Sequence, residues 1–168
     1  VSIMGNSFGY FDKEEDDLLV LKSVKRALVS DGTLVMDIVD GIWMRTHFEP
    51  RSWEWIDNTH FVCRERSLSS DGQRIISREV VVHSEKGVIA DQFYAERLYS
   101  FERISEFLDK VGFSRIKLHE NITADSNRKQ DLGMMANRMF ITARAPTKTV
   151  AVSKRGPVFP LDRLRDEC

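Results

Sequence analysis

The run Thr33-Leu34-Val35-Met36-Asp37-Ile38-Val39 follows Gly32 without a linker and carries a single charge. It lacks the alternation of a half-solvated strand, so it reads as a strand covered on both faces. Upstream, Leu18, Leu21, Val24 and Leu28, with Val20 and Ala27, follow helical spacing, and before them stands the short apolar run Val1-Ser2-Ile3-Met4. Strand, helix and strand in this order make a βαβ unit, whose right-handed crossover sets the two strands parallel with the helix on one face of the sheet. The punctuation agrees. Asp12 with Glu15 is a capping-box pattern, and Gly32 is expected to stop the helix as a left-handed residue at or past its end.

The connection between the first strand and the helix is Gly5-Asn6-Ser7-Phe8-Gly9-Tyr10-Phe11. Its aromatics are too many for a plain solvated turn. In open α/β sheets, ligands bind at the C-terminal ends of parallel strands, which makes this loop a candidate cavity wall. On that reading Asn6 is a loop residue whose loss spares folding; the alternative is a glycine-rich loop that buries aromatics for packing. Beyond Asp40-Gly41 the chain reads as a second loop dense in large side chains, and all three tryptophans lie there. Trp43, Trp53 and Trp55 offer broad faces for a ring, Arg45 a partner for an acidic group, and His47 a group that titrates near neutrality. Against that reading, two of the three tryptophans are expected to fasten neighbouring strands to the sheet, and a lone His47 is ordinarily exposed or satisfied.

The middle of the chain changes period. Residues 59–68, 73–84 and 88–99 are rich in strand formers and separated by Ser69-Ser70-Asp71-Gly72 and Glu85-Lys86-Gly87, which predicts a three-stranded antiparallel meander. Arg64, Arg66, Arg74 and Arg78 lie on it among Glu65, Glu79 and Glu96, as cross-strand charge pairs or as a basic binding face. Tyr99 stands at its exit, able to reach a cleft. Ser100 caps a helix through Ile104, Phe107, Leu108 and Val111 that Gly112 closes, and residues 113–121 and 138–145 supply two more strands. One domain, 1–146, is expected, with 59–99 inserted in it and 147–168 a tail or linker.

Charge excludes some partners. With 25 Lys+Arg against 26 Asp+Glu, the net charge of −1 gives no bias toward nucleic acid or an anionic membrane, and no apolar run is long enough to span one. His60, His83 and His119 are scattered, so no metal site is expected, and two cysteines make no disulfide framework. A reducing cytoplasm is the expected compartment.

Taken in order, Gly5-Asn6-Ser7-Phe8-Gly9-Tyr10-Phe11 after an apolar strand, an acidic-capped helix, and Ser30-Asp31-Gly32-Thr33-Leu34-Val35-Met36-Asp37 resemble the second half of a class I S-adenosylmethionine-dependent methyltransferase. The inserted antiparallel strands, and the helix ending in Val111-Gly112-Phe113 before a final antiparallel pair, are similar to small-molecule N- and O-methyltransferases, amino-sugar N-methyltransferases among them. The resemblance spans residues 1–146. It implies an α/β fold, the second half of a Rossmann-like sheet with an antiparallel lid over the strand ends, and methyl transfer from S-adenosylmethionine to a small-molecule nitrogen or oxygen. It implies Asn6, Ser7, Phe8 and Tyr10 beside the methyl donor, and Trp43, Arg45, Trp53 and Tyr99 beside the acceptor, with His47 a weak candidate base.

The family's glycine-rich loop and its ribose-binding acid belong to the first half of the fold, and neither is found. The nine glycines contain no G-x-G. The chain is therefore expected to start in mid-fold and to carry only the acceptor side. A missing N-terminal half or a homodimer partner would then pair with the exposed edge of the first strand. The reading from another class is a non-catalytic dimerisation or docking module derived from such an enzyme. Asn6-Ser7-Phe8-Gly9 also lacks the Asn-Pro-Pro-Tyr signature of amino-methylating DNA enzymes, which argues against a nucleobase acceptor.

Overall fold

The computed structural model of the protein describes residues 1–124 and 131–147, so the expected tail lies, from residue 148 onward, outside the described residues. The βαβ unit is present. Strand β1 (Ser2–Ile3) pairs parallel with β2 (Thr33–Val39), Ser2 opposite Val35, and helix α1 (Glu14–Ala27) connects them. β9 (Asn137–Arg144) then pairs antiparallel with β2, and β7 (Ser114–Leu118) with β9, giving the order β1-β2-β9-β7, with the short β8 (Ile122–Thr123) also on β9. Leu34, Met36 and Ile38 of β2 and Met139, Ile141 and Ala143 of β9 point to one face. There they meet Leu18 and Leu21 of α1 and Ile104, Phe107, Leu108 and Val111 of α3 (Phe101–Val111) in the main core. On the opposite face Val35 and Phe140 stay half-buried. Within the described residues, β1 has a partner strand on one side only.

Two local expectations at the ends of α1 fail. The helix starts at Glu14 behind Lys13, with no side-chain cap, so the Asp12/Glu15 box does not form. It also ends before Gly32. Leu28 leaves the helix to enter the core, and Asp31 takes the left-handed angle, φ 55°. At α3 the expectations hold: the Ser100 hydroxyl accepts from the Arg103 N–H, and Gly112 is left-handed at φ 92°.

The meander is present over β4 (His60–Leu68), β5 (Arg74–His83) and β6 (Gly87–Arg97), all antiparallel. It has four strands rather than three, because β3 (Arg51–Trp55) pairs with β4. The expected loop after Asp40 is thus a helix, α2 (Gly41–His47), followed by that strand. Asp40 explains the helix: its carboxylate accepts from the N–H groups of Ile42 and Trp43, as an N-cap does. The fastening of strands by tryptophan is also corrected. Trp53 is 69% exposed and Trp55 also faces out, both on the outer face of the four-stranded sheet, while Trp43 stacks on His47 with ring centroids 4.5 Å apart.

Backbone hydrogen bonds help to fasten the meander, beside the packing of Ile75 and Leu98 on Val39 and Met44. The Arg97 N–H donates to Gly9 O at 2.8 Å, and the Gly41 N–H to Tyr99 O at 3.0 Å. Gly9 lies in the loop after β1 and Gly41 opens α2 directly after β2, so the four-stranded sheet sits over the C-terminal ends of β1 and β2.

Candidate functional site

Between that sheet and the loop after β1 lies a cavity of about 500 Å³, lined among others by Gly5, Asn6, Tyr10, Glu54, Arg64, Arg66, Glu79, Tyr94 and Asp131. Strand alternation builds its floor. The registers Glu54–Val62, Arg64–Glu79 and Arg66–Ser77–Tyr94 put Glu54, Arg64, Arg66, Glu79, Tyr94 and Glu96 on the inner face, opposite Trp53, Cys63, Val80 and Phe93.

The inner face is charged where a packing face would be apolar. Arg64 donates to Glu54 at 2.7 Å and to Glu79 at 2.9 Å. Arg66, buried, donates to Asp131, which also accepts from the Ser52 hydroxyl at 2.6 Å. Burial pushes the Asp131 carboxyl up, but the bonds from Ser52 and Arg66 prevail and hold it below the usual range. Glu96 is fully buried on the same face, with no close hydrogen bond to either oxygen and with Asn6 and Tyr10 as its polar neighbours. Burial raises its pKa to about 8, and the polar influence of Asn6 and Tyr10 only partly offsets this. Burial, and then the charge of Glu96, push the Tyr10 hydroxyl up in turn, so it stays protonated.

Of the residues expected beside the donor, Asn6 and Tyr10 reach the cavity. Asn6 is buried and left-handed, φ 60°, and its side-chain oxygen accepts from the Val39 N–H at 2.7 Å. Its amide nitrogen lies 3.5 Å from the Tyr10 hydroxyl. Ser7 is exposed and donates to Met4 O, while Phe8 turns into the core against Tyr99, ring centroids 5.7 Å apart.

The residues expected beside the acceptor do not converge on this cavity. Arg45 donates to the carbonyls of Gly72 and Leu98, tying α2 to the meander. Trp53 faces outward, and the Tyr99 hydroxyl is buried, donating to Asp17 at 2.7 Å. His47, exposed, has its Nδ1 2.8 Å from Trp43 O and stands outside the cavity. Sequence reading missed Glu54, Asp131 and the inward direction of Arg64, Arg66 and Glu79. The available signal for Glu54, Arg64, Arg66 and Glu79 was their shared parity along paired strands; Asp131 lies outside the strands and carried no such signal.

No family model matches the chain, and no curated protein matches it. Solved structures do. An S-adenosylmethionine-dependent methyltransferase from Clostridium acetobutylicum superposes with a TM-score of 0.64 at 15% identity, over 86% of this chain and 57% of that one. The CcbJ methyltransferase from Streptomyces caelestis gives 0.62 at 13% identity, over 88% and 57%. The sugar N-methyltransferase KedS8 from Streptoalloteichus gives 0.54 at 17%, over 88% and 56%. The fold is therefore that of a class I S-adenosylmethionine-dependent methyltransferase, and the chain spans a little over half the length of the structures it matches.

Proposed function

We propose that the protein transfers a methyl group from S-adenosylmethionine to the nitrogen or oxygen of a small-molecule acceptor, and that this chain supplies the acceptor side. The carrying observation is the cavity itself. It lies at the C-terminal end of β1, where this fold class binds its ligands, and is walled by polar side chains rather than by core.

The donor, when bound, supplies a methyl carbon on a cationic sulfur. Gly5, whose missing Cβ leaves open space, and Asn6 and Tyr10 fit its methyl-bearing end. The ring face of Tyr10 suits a cation. Nothing among the described residues is suited to the adenosine end, which accords with a further segment or a partner chain along the free edge of β1. The chain's own residues then contribute by alignment and by excluding water, which is what an in-line displacement needs most.

The test is transfer of isotope-labelled methyl from S-adenosylmethionine by the full-length protein that carries this chain. Tyr10→Ala, at a half-exposed position, should lower the rate at least tenfold, a barrier increase of about 1.4 kcal/mol, while sparing the fold. Unchanged transfer in that variant would contradict the placement of the site, and absence of transfer to any small amine or alcohol would contradict the function.

A further inference from the structure

The four-stranded sheet is turned inside out. An antiparallel sheet with one solvated face ordinarily sends its polar side chains to water and its apolar ones to the core. Here Glu54, Arg64, Arg66 and Glu79 point inward to the cavity, while Trp53, Trp55, Cys63, Val80 and Phe93 stand on the outer face. Phe93 is 70% exposed, with the Arg78 guanidinium 5.5 Å from its ring centroid. On the same face opens a hollow of about 400 Å³, with Trp53, Cys63 and Val80 among its lining residues. A contiguous exposed apolar face rimmed by charge marks a surface that another chain covers.

We propose that this outer face docks a second copy of the chain, the two sheets packing face to face about a two-fold axis. Charge specifies the occupant. β3, β4, β5 and β6 carry in turn Arg51, Glu65, Arg78 and Asp91, alternating in sign, with Arg51 3.3 Å from Glu65 and Arg78 2.6 Å from Asp91. Balanced signs leave no excess for a nucleic acid or an anionic membrane. An axis that lies between the two faces and runs along the strands reverses the strand order, so β3 of one copy meets β6 of the other and β4 meets β5. Arg51 then faces Asp91 and Glu65 faces Arg78, each in both directions across the contact. The same operation carries the protruding Phe93 of each copy to the β3 side of the other, where the hollow lies. Charges, knob and hollow are all self-complementary, which is what a two-fold contact requires.

The size of the face agrees. Its strands run from 5 to 11 residues. At about 3.3 Å per residue and about 4.8 Å between strands they present roughly 550 Å² of flat sheet per copy. Trp53, Trp55 and Phe93 stand out from that plane and add to it, which brings the contact to the ~600 Å² per partner at which specific interfaces begin. Two sheets joined in this way make a sandwich about 10 Å thick with strands within about 30° of each other. The cavity lies on the opposite face and stays open, so this inference goes beyond the methyl-transfer reading and does not depend on it.

Sedimentation equilibrium of the full-length protein that carries this chain should give the mass of two copies at micromolar concentration. Phe93→Glu and Trp53→Glu should each weaken the association at least tenfold. Both should keep the circular dichroism of the folded protein, because both side chains are mostly exposed in the single copy. Val29→Glu, equally exposed but just past α1, should leave the dimer intact. Hydroxyl-radical footprinting of the wild type adds a readout that needs no variant to fold: Trp53, Trp55 and Phe93 should be oxidised less as monomer becomes dimer. A wild-type protein that is monomeric at micromolar concentration would overturn the proposal. So would a dimer that survives both substitutions, or equal oxidation of these three residues in monomer and dimer.

Discussion

The side-chain oxygen of Asn6 accepts a hydrogen bond from the backbone N–H of Val39 at 2.7 Å, joining the loop after β1 to the end of β2. The Asn6 N–H donates in turn to Asp37 O at 2.9 Å, so one residue stitches both parallel strands where the cavity opens. This corrects the expectation that Asn6 is a dispensable loop residue. Asn6→Ala leaves a buried N–H unsatisfied and puts a Cβ-bearing, non-bonding residue in the left-handed region, a loss of about 2 to 4 kcal/mol. Asn6→Asp keeps the acceptor and should lose less. Urea unfolding of both variants checks the order.

Glu96 makes stability depend on pH. Its folded pKa of about 8 lies above the ordinary glutamate value of 4.5, so the folded state holds the proton more tightly than the unfolded chain does. The stabilisation is complete below about pH 4.5 and is lost as pH rises through 8, on the order of 5 kcal/mol at most. Glu96→Gln should flatten this slope and unfold at higher denaturant than wild type at alkaline pH. Denaturation across that pH range reads it directly.

Gly41 admits no side chain. A Cβ there would stand 2.5 Å from Tyr99 O and 2.7 Å from Leu98 O, both backbone atoms that hold the meander to α2. Gly41→Ala should therefore cost roughly 3 kcal/mol or more through forced backbone displacement. Gly72→Ala, left-handed but with open space at its Cβ, should cost only about 1 kcal/mol. Thermal melts of the pair test whether contact or backbone angle dominates.

Arg66 is the buried cation of the cavity, donating to Asp131 and to Glu49 O. Arg66→Ala strands the Asp131 carboxylate in a largely buried site and should destabilise by about 3 kcal/mol. Pairing it with Asp131→Asn should recover part of that loss. Arg78→Ala, whose partner Asp91 lies in solvent, should change stability by less than about 1 kcal/mol.

The fold was legible where pattern reports burial. The unbroken apolar run of β2, the Leu18 and Leu21 spacing of α1, the Ser100 and Gly112 punctuation of α3 and the two meander turns all reflect local chemistry that the structure keeps. α2 and β3 were hidden because seven large side chains in a short stretch mask any period, and only the Asp40 cap marked the helix. The site was half legible. Asn6 and Tyr10 follow from loop position, whereas Trp53 and Phe8 carry the right chemistry but point to solvent and core. Direction, not residue type, decides membership of the cavity, and for Arg64, Arg66 and Glu79 direction comes from strand register, which depends on pairing across the sheet.

We propose that this chain is the acceptor-side half of a methyl-transfer site. Calorimetric titration of S-adenosylmethionine tests it most directly, with the 168-residue chain alone and with the full-length protein that carries it. Binding near the micromolar range, about −8 kcal/mol, is expected for the full-length protein, and none in that range for the chain alone. Micromolar binding by the isolated chain, or none by either, would contradict it.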